Sequence, residues 1–275
     1  MRSRHGCSSN GPANNALGRT RCVRRSAQSL AGQAIMRLPV IQGVIRRRIL
    51  VNFRVDPGVM QAQLPSRFRP KLHQGRSIAG ICLIRLEFVR PRLVPQALGL
   101  SSENAAHRIA VHWQADGTEK EGVFIPRRDT GSAINHFAGG RLFPGEHHRA
   151  RFAVHDSADV IDLSMQSVDG EVSVRVRGRR ASNLPSSSCF SSLAEASAFF
   201  EPGSVGYSVT RAADRLDGLE LRTHGWSIEP LQVDDVYSSY FSDGARFPRG
   251  SVEFDCALVM RNLGHEWHGV EDLYV

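Results

Sequence analysis

Residues 162–177 read DLSMQSVDGEVSVRVR, and this stretch decides the fold. Asp169-Gly170 lies between two alternating segments, and Asp-Gly so flanked is a strong signal for a two-residue hairpin turn. Such a turn sets Leu163 opposite Val176, Met165 opposite Val174 and Ser167 opposite Val172 on one face. The other face then carries Asp162 against Arg177 and Ser164 against Arg175. An apolar face backed by a face with an opposite-charge pair is what a half-solvated antiparallel hairpin requires.

Two further Asp-Gly dipeptides flank this one. Asp116-Gly117 joins an incoming strand, His107–Ala115, to an outgoing strand, Glu119–Pro126, that ends in Arg127-Arg128-Asp129. Asp217-Gly218 is read as a third turn, setting Arg215 against Glu220 and Leu216 against Leu219. Upstream, Ile49, Val51 and Phe53 alternate with Leu50, Asn52 and Arg54 as a strand does. Asp56-Pro57 reads as an N-cap and first-turn proline opening a short helix to about Leu64. Residues 76–90 are apolar enough for a central strand, and Ser192-Leu-Ala-Glu195 is a capping box opening a helix to about Phe200. A last strand is expected near Ser251–Met260. The fold class is therefore mainly β (α+β): a large curved antiparallel sheet or partly open β-barrel with a few short helices.

The net charge of +8 suggests nucleic acid until it is located. Residues 1–35 hold six arginines and no acid, and without them 29 basic side chains face 27 acidic ones, a net of +2. Charge therefore gives no reason to expect a nucleic-acid partner. Those first residues have no hydrophobic periodicity, so they are expected to be a disordered basic tail, with no apolar core to make a signal peptide. A start assigned too far upstream, with Met36 the true start, explains them best. Residues 36–275 then form one domain. The five cysteines are scattered and lack CxxC spacing, indicating neither disulfides nor a zinc site and suiting a reducing, cytoplasmic setting. No apolar run approaches a membrane span.

A two-residue turn at Asp116-Gly117 places Ala106 opposite Arg127. Glu103 then lies roughly 10 Å further along, at about 3.3 Å per residue, a gap two long side chains close. One carboxylate and two guanidinium groups are thus expected to meet at this end of the hairpin, beside the loop Gly99–Asn104.

Three of these segments resemble the acetoacetate decarboxylase superfamily: ILVNFRVDPGVMQAQL (Ile49–Leu64), Ser101-Ser102-Glu103-Asn104 and GVFIPRR (Gly122–Arg128). From Leu38 to Leu273 the chain is more closely similar to its YqjF-like branch, number 2071 among the domains of unknown function. The stretches SSENAAHRIAV, IPRRDT and GGRLFPGEHHRARF carry that likeness. It implies a curved sheet or barrel around a small internal cavity. The decarboxylases place two adjacent lysines after the proline of this strand, one of which forms an imine with a β-keto acid. Arg127 and Arg128 stand there in this chain, and a guanidinium keeps its proton and forms no imine. Lys71 and Lys120, the only lysines, lie in a turn and at the far end of the hairpin.

The resemblance also makes Glu103 the pocket glutamate, and Arg46, to within a residue or two, the substrate-carboxylate arginine. Glu103 is the candidate acid or base; Arg127, Arg128, Arg46, Arg108 and Asn104 are the candidate ligand-binding residues. The expected partner is a small organic acid or other anion, and no cofactor, nucleic acid or membrane is implied. A homo-oligomer is compatible with all of this. Any catalysis would be lyase- or hydrolase-like and would not form an imine. Against this stands a non-catalytic reading in which Glu103 and the arginines form only a structural ion-pair cluster. His136, His147 and His148 lack a spaced carboxylate or cysteine partner, and His265-Glu-Trp-His268 lacks the i, i+4 spacing of a zincin, so no metal site is expected. Cys189 reads as an ordinary free thiol.

Overall fold

The computed structural model describes residues 39–139 and 144–275, so the expectation for residues 1–35 and the boundary at Met36 lie outside the described residues. In chain order the strands are β1 (Ile41–Val55), β2 (Arg69–Pro70), β3 (Leu72–His73), β4 (Arg76–Pro91), β5 (Leu100–Ala115), β6 (Thr118–Thr130) and β7 (His147–Asp156). They continue with β8 (Val160–Ser167), β9 (Ser173–Arg180), β10 (Val205–Val209), β11 (Arg215–Thr223), β12 (Glu229–Ser238) and β13 (Val252–Tyr274). Three short α-helices accompany them: α1 (Pro57–Gln61), α2 (Ala133–Ala138) and α3 (Leu193–Phe200). No helix among the described residues is long and apolar enough to cross a membrane.

The strands form one mixed sheet in the order β11-β10-β6-β7-β8-β9-β12-β13-β1-β4-β5-β2, with β3 on β4 and further pairings β5–β6 and β11–β13. Only β6–β10 and β6–β7 are parallel among the described pairs. Because β6 and β13 each have three neighbours, the sheet branches and is not a strict barrel. Two circuits of paired strands share a wall of β13, β1, β4, β5 and β6. Both faces of that wall are covered. Ile49, Val51, Ile81, Leu83 and Ile109 enter a core with Leu163 and Val176. Leu50, Cys82, Ile84 and Ala110 enter a second core with Phe199 and Phe200 of α3. Burial on both faces explains the near-continuous apolar run in β4.

The hairpin of β8 and β9 has the expected register, Leu163 against Val176, Met165 against Val174 and Asp162 against Arg177. Asp56 caps α1, its carboxylate accepting from the Gly58 and Val59 amides at 2.9 and 3.1 Å. The helix ends at Gln61, a turn short of the expected Leu64. Ser192 caps α3, accepting from the Glu195 amide at 3.1 Å. The expected loop Gly99–Asn104 is mostly strand, since β5 begins at Leu100, and the last strand runs on to Tyr274.

Two of the register expectations need correction. Asp116 and Gly117 do form the turn, with φ of 51° and 69°, and Ala115 pairs with Thr118 as the turn requires. That register holds to Ile109–Phe124, but the next pair is His107–Arg127. Ile125 and Pro126 together oppose Arg108 alone, a β-bulge at the proline that has no amide to give the ladder. Arg128, and not Arg127, therefore lies opposite Ala106.

Asp217-Gly218 is not a turn at all. It lies inside β11, Asp217 opposite Ser208 and Gly218 opposite Tyr207. Glycine is required there by crowding: a Cβ would meet Val270 Cγ2 at 2.5 Å and Tyr207 Cε1 at 2.9 Å. Gly218→Ala is accordingly expected to cost about 1–3 kcal/mol of stability in urea unfolding. Gly244→Ala, where a Cβ meets nothing, should leave stability within about 0.5 kcal/mol of wild type.

Candidate functional site

The bulge in β6 decides which side chains meet, because a one-residue shift sends every following side chain to the opposite face. Beyond it, Arg127 and Asp129 share a face with His107 and Ala105. Arg128 instead shares the other face with Asn104, Ala106 and Arg108. The carboxylate and two arginines expected at one spot are thereby divided, Glu103 and Arg127 on one side of the wall and Arg128 on the other.

On the first side Arg127 and Glu103 are already engaged. Arg127 is buried and its guanidinium donates to Asp129 Oδ1 at 2.9 Å, Asp169 Oδ2 at 2.8 Å and Glu171 Oε2 at 2.5 Å. Burial opposes ionisation of Asp169, yet the Ser167 hydroxyl and Arg127 hold its carboxyl far below the usual carboxylate range. Glu103 meets neither Arg127 nor Arg128: its Oε2 accepts from Arg47 Nη2 at 2.7 Å, and Arg47 also binds Asp156 Oδ2 at 3.1 Å. Burial lifts the Glu103 carboxyl above its ordinary value, with Arg47 pulling the other way. Arg46 lies half-exposed at the surface, held by Glu87 at 2.8 Å and Asn262 at 2.9 Å. These three expected site residues have the geometry of structural ion pairs.

The second side of the wall bears a partly open cavity of about 130 Å³. Arg48, Arg108 and Arg128 line it, together with Asn104, Asn135, His147 and Asp129, whose carboxylate is bound to Arg127. Its apolar lining comes from Ile84, Leu86, Ile125, Leu221 and Trp267. Arg128 donates Nε–H to Ser208 Oγ at 2.9 Å. Arg108 donates to Asn52 Oδ1 and lies 5.0 Å from the centre of the Phe200 ring. Arg48 donates Nε–H to Cys82 Sγ at 3.3 Å. Among the described residues, none of these three guanidinium groups has a carboxylate within ion-pair distance, while Arg47 and Arg127 across the wall hold two and three.

Burial pulls Arg108 and Arg128 down to about 10, so both remain cations at neutral pH. His147 is pushed down to about 3 by burial and by Arg128, and is a neutral imidazole there. Asn104 is fixed by Ser102 at 2.9 Å and by the Thr130 hydroxyl, which donates to its Oδ1 at 2.7 Å.

Three of the expected residues, Asn104, Arg108 and Arg128, thus line one cavity, and Glu103, Arg127 and Arg46 do not. Arg48 was not singled out from the sequence, although it lies two residues beyond Arg46. Its signal was strand alternation, which sets Arg48 in line with Leu50 and Asn52. Asn135, His147 and Trp267 arrive from remote segments, and nothing in the local sequence announces them. The lysines are elsewhere. Lys71 binds Glu121 at 2.6 Å and lines an adjoining recess of about 30 Å³ that shares Arg48 and Arg108 with the cavity, and Lys120 lies exposed opposite Trp113. No group of three or more His, Cys, Asp or Glu among the described residues is arranged to hold a metal.

The profile of the DUF2071 family, described as an uncharacterized conserved protein, matches residues 44–248, and the chain belongs to that family. No curated protein sequence matches it. Among solved structures, acetoacetate decarboxylase from Legionella pneumophila superposes with a TM-score of 0.55 at 10% identity, covering 86% of this chain and 88% of that one. An acetoacetate decarboxylase-like enzyme from Sphingomonas wittichii RW1 gives 0.53 at 12% identity, covering 86% and 92%. The enduracididine biosynthesis enzyme MppR, solved in complex with pyruvate, gives 0.53 at 12% identity, covering 90% and 94%. The fold is therefore acetoacetate decarboxylase-like; identities this low carry no chemistry across.

Proposed function

We propose that this protein binds a small organic acid in the cavity of the shared wall, with Arg48, Arg108 and Arg128 as the carboxylate clamp and without imine formation. The observation that carries this reading is that three guanidinium groups line one cavity and, among the described residues, none of them has a carboxylate within ion-pair distance, the Asp129 carboxylate near the lining being bound to Arg127. Arg108 is buried and Arg48 and Arg128 are half-buried; charges drawn from water are costly unless paired, and a fold that pairs Arg47 and Arg127 so completely leaves these three for an anion from outside. Guanidinium groups suit carboxylates because their donors match both oxygens. The volume suits a few heavy atoms, since a cavity of ~150 Å³ holds a molecule the size of benzene. The apolar lining fits a short hydrocarbon or keto segment. That a structural relative was solved with pyruvate makes 2-oxo acids the first class to try.

Lysine chemistry is not part of the reading, because neither Lys71 nor Lys120 lines the cavity. Glu103, bonded to Arg47 across the wall, is better read as part of a structural ion pair than as the acid or base of this site.

A thermal-shift screen tests the proposal, using acetate, propionate, pyruvate, acetoacetate and phosphate. Ligand that binds only the native state raises Tm by mass action, about 2.7 kcal/mol of stabilisation at a hundredfold excess over Kd. A rise with the carboxylates, lost in Arg128→Gln, is expected. No rise with any carboxylate, or the same rise in Arg128→Gln, would count against it.

A further inference from the structure

We propose that Cys82 is a nucleophile of this cavity, placed to add reversibly to the carbonyl carbon of a small carboxylate such as a 2-oxo acid. This rests on the carboxylate-binding reading above and supplies the reactive group that the missing lysines leave unfilled. Cys82 stands on β4, opposite Leu50 of β1 and Ala106 of β5, and its side chain lines the cavity. Ala106 pairs in turn with Arg128, so Cys82, Ala106 and Arg128 form one row across three strands, with the short alanine between the other two.

The sulfur accepts the Arg48 Nε–H at 3.3 Å, and Arg108 and Arg128 line the same cavity. Arg108 points independently to a ligand: it is 5% exposed, lines the same cavity, and its Nε has no hydrogen-bond partner among the described residues.

The other described cysteines stand beside a carboxylate and do not line this cavity. Cys189 and Cys256 both lie beside Asp255, and burial with that carboxylate pushes the Cys189 thiol up to about 12 and the Cys256 thiol higher still. The thiolate is the attacking form of cysteine. Around Cys82 stand Arg48, Arg108 and Arg128, the one carboxylate of the lining, Asp129, being bound to Arg127; the three cations would hold the substrate carboxylate and the oxygen that becomes negative during addition.

The step balances without a further reagent. A sulfur electron pair forms the S–C bond, the carbonyl π pair moves onto oxygen, and that oxygen takes up the proton the thiol has released. The product is a hemithioketal, and its reversal returns thiol and keto acid.

The test is alkylation of the full chain with iodoacetate and with iodoacetamide, two reagents that differ chiefly in charge. Either forms an S–C bond as iodide leaves, and rates are read at each cysteine by peptide mass spectrometry. At Cys82 the iodoacetate-to-iodoacetamide rate ratio is expected to exceed that at Cys189 by about tenfold or more, the scale of electrostatic recruitment. Pyruvate should slow the labelling, and Arg48→Gln or Arg128→Gln should bring the ratio down to that of Cys189. A ratio at Cys82 no higher than at Cys189, or unchanged in both arginine variants, would overturn the assignment. Cys82→Ser keeps the two readings apart. If propionate, which has no electrophilic carbon, still raises Tm in wild type and in Cys82→Ser while the iodoacetate preference is absent, the anion site stands and the nucleophile falls. If propionate and pyruvate both leave wild-type Tm unchanged and no preference is seen, both readings fall.

Discussion

Arg127→Ala is expected to destabilise the protein by about 3–5 kcal/mol, the cost of leaving a buried charge without its partner. Arg127 is the hub of four side chains. Asp129 is wholly buried and depends on it, and Asp169 and Glu171 converge on the same guanidinium. Removing the cation leaves three carboxylates facing one another, one of them out of reach of water. Burial already lifts the Asp129 carboxyl above its ordinary value while Arg127 holds it down, so in the variant Asp129 would take up a proton or unfold the strand end. Arg128→Ala, one residue on, is expected to cost less than about 1.5 kcal/mol, because its Nε–H donates to a neutral serine hydroxyl and no carboxylate is orphaned. Urea unfolding of the two variants decides the point. Equal losses would mean that the bulge at Pro126 does not separate the two side chains.

Stability is also expected to fall steeply as pH drops from about 7 to 5, and three buried histidines set the sign. Burial depresses His107 and His147 to about 3 and His265 to about 4. In the unfolded chain each would titrate near 6.5. Between those values the unfolded chain binds protons that the folded one refuses, so stability is fully present above about pH 6.5 and is lost as pH falls toward the folded values. Each histidine contributes on the order of 1.4 kcal/mol per pH unit in that window, a large slope against a total stability of about 5–15 kcal/mol. Glu103 and Asp129, with carboxyls lifted by burial, act in the opposite sense at more acidic pH, nearer the carboxylate range. His107 is the cleanest single contributor, since both ring nitrogens are buried without a partner among the described residues and the ring packs 4.6 Å from that of Tyr240. Urea unfolding at pH 7.5, 6.5 and 5.5 should show the slope, and His107→Phe should flatten it by about one proton. A stability that stays level across this range would refute the assignment of these histidines as neutral.

Much of the architecture is legible in local sequence. The Asp169-Gly170 hairpin follows from a turn dipeptide and alternation alone, and Asp56-Pro57 and Ser192–Glu195 announce their helices through capping chemistry. What is not legible is what depends on partners distant in the chain. Asp217-Gly218 looks like the other two turn dipeptides, and only the approach of Val270 and Tyr207 makes it a crowded position inside a strand.

The candidate site shows the same limit. Arg127 and Arg128 are recognisable as the pair that replaces the lysines, yet their opposite fates turn on one extra residue in β6. Asn104, Arg108 and Arg128 reach the cavity because strand alternation carries them there. Arg47 takes Glu103 because β1 reaches β5 across β4, a pairing no local pattern encodes.

On the proposed reading Arg48, Arg108 and Arg128 clamp an anion and Arg127 does not. Calorimetric titration of pyruvate into the wild-type protein and into Arg128→Gln tests it most directly. Saturable binding to wild type is expected, weakened about tenfold or more in the variant, the loss of one hydrogen bond to a charged group. Equal affinity in both proteins, or no saturable heat in wild type, would contradict it.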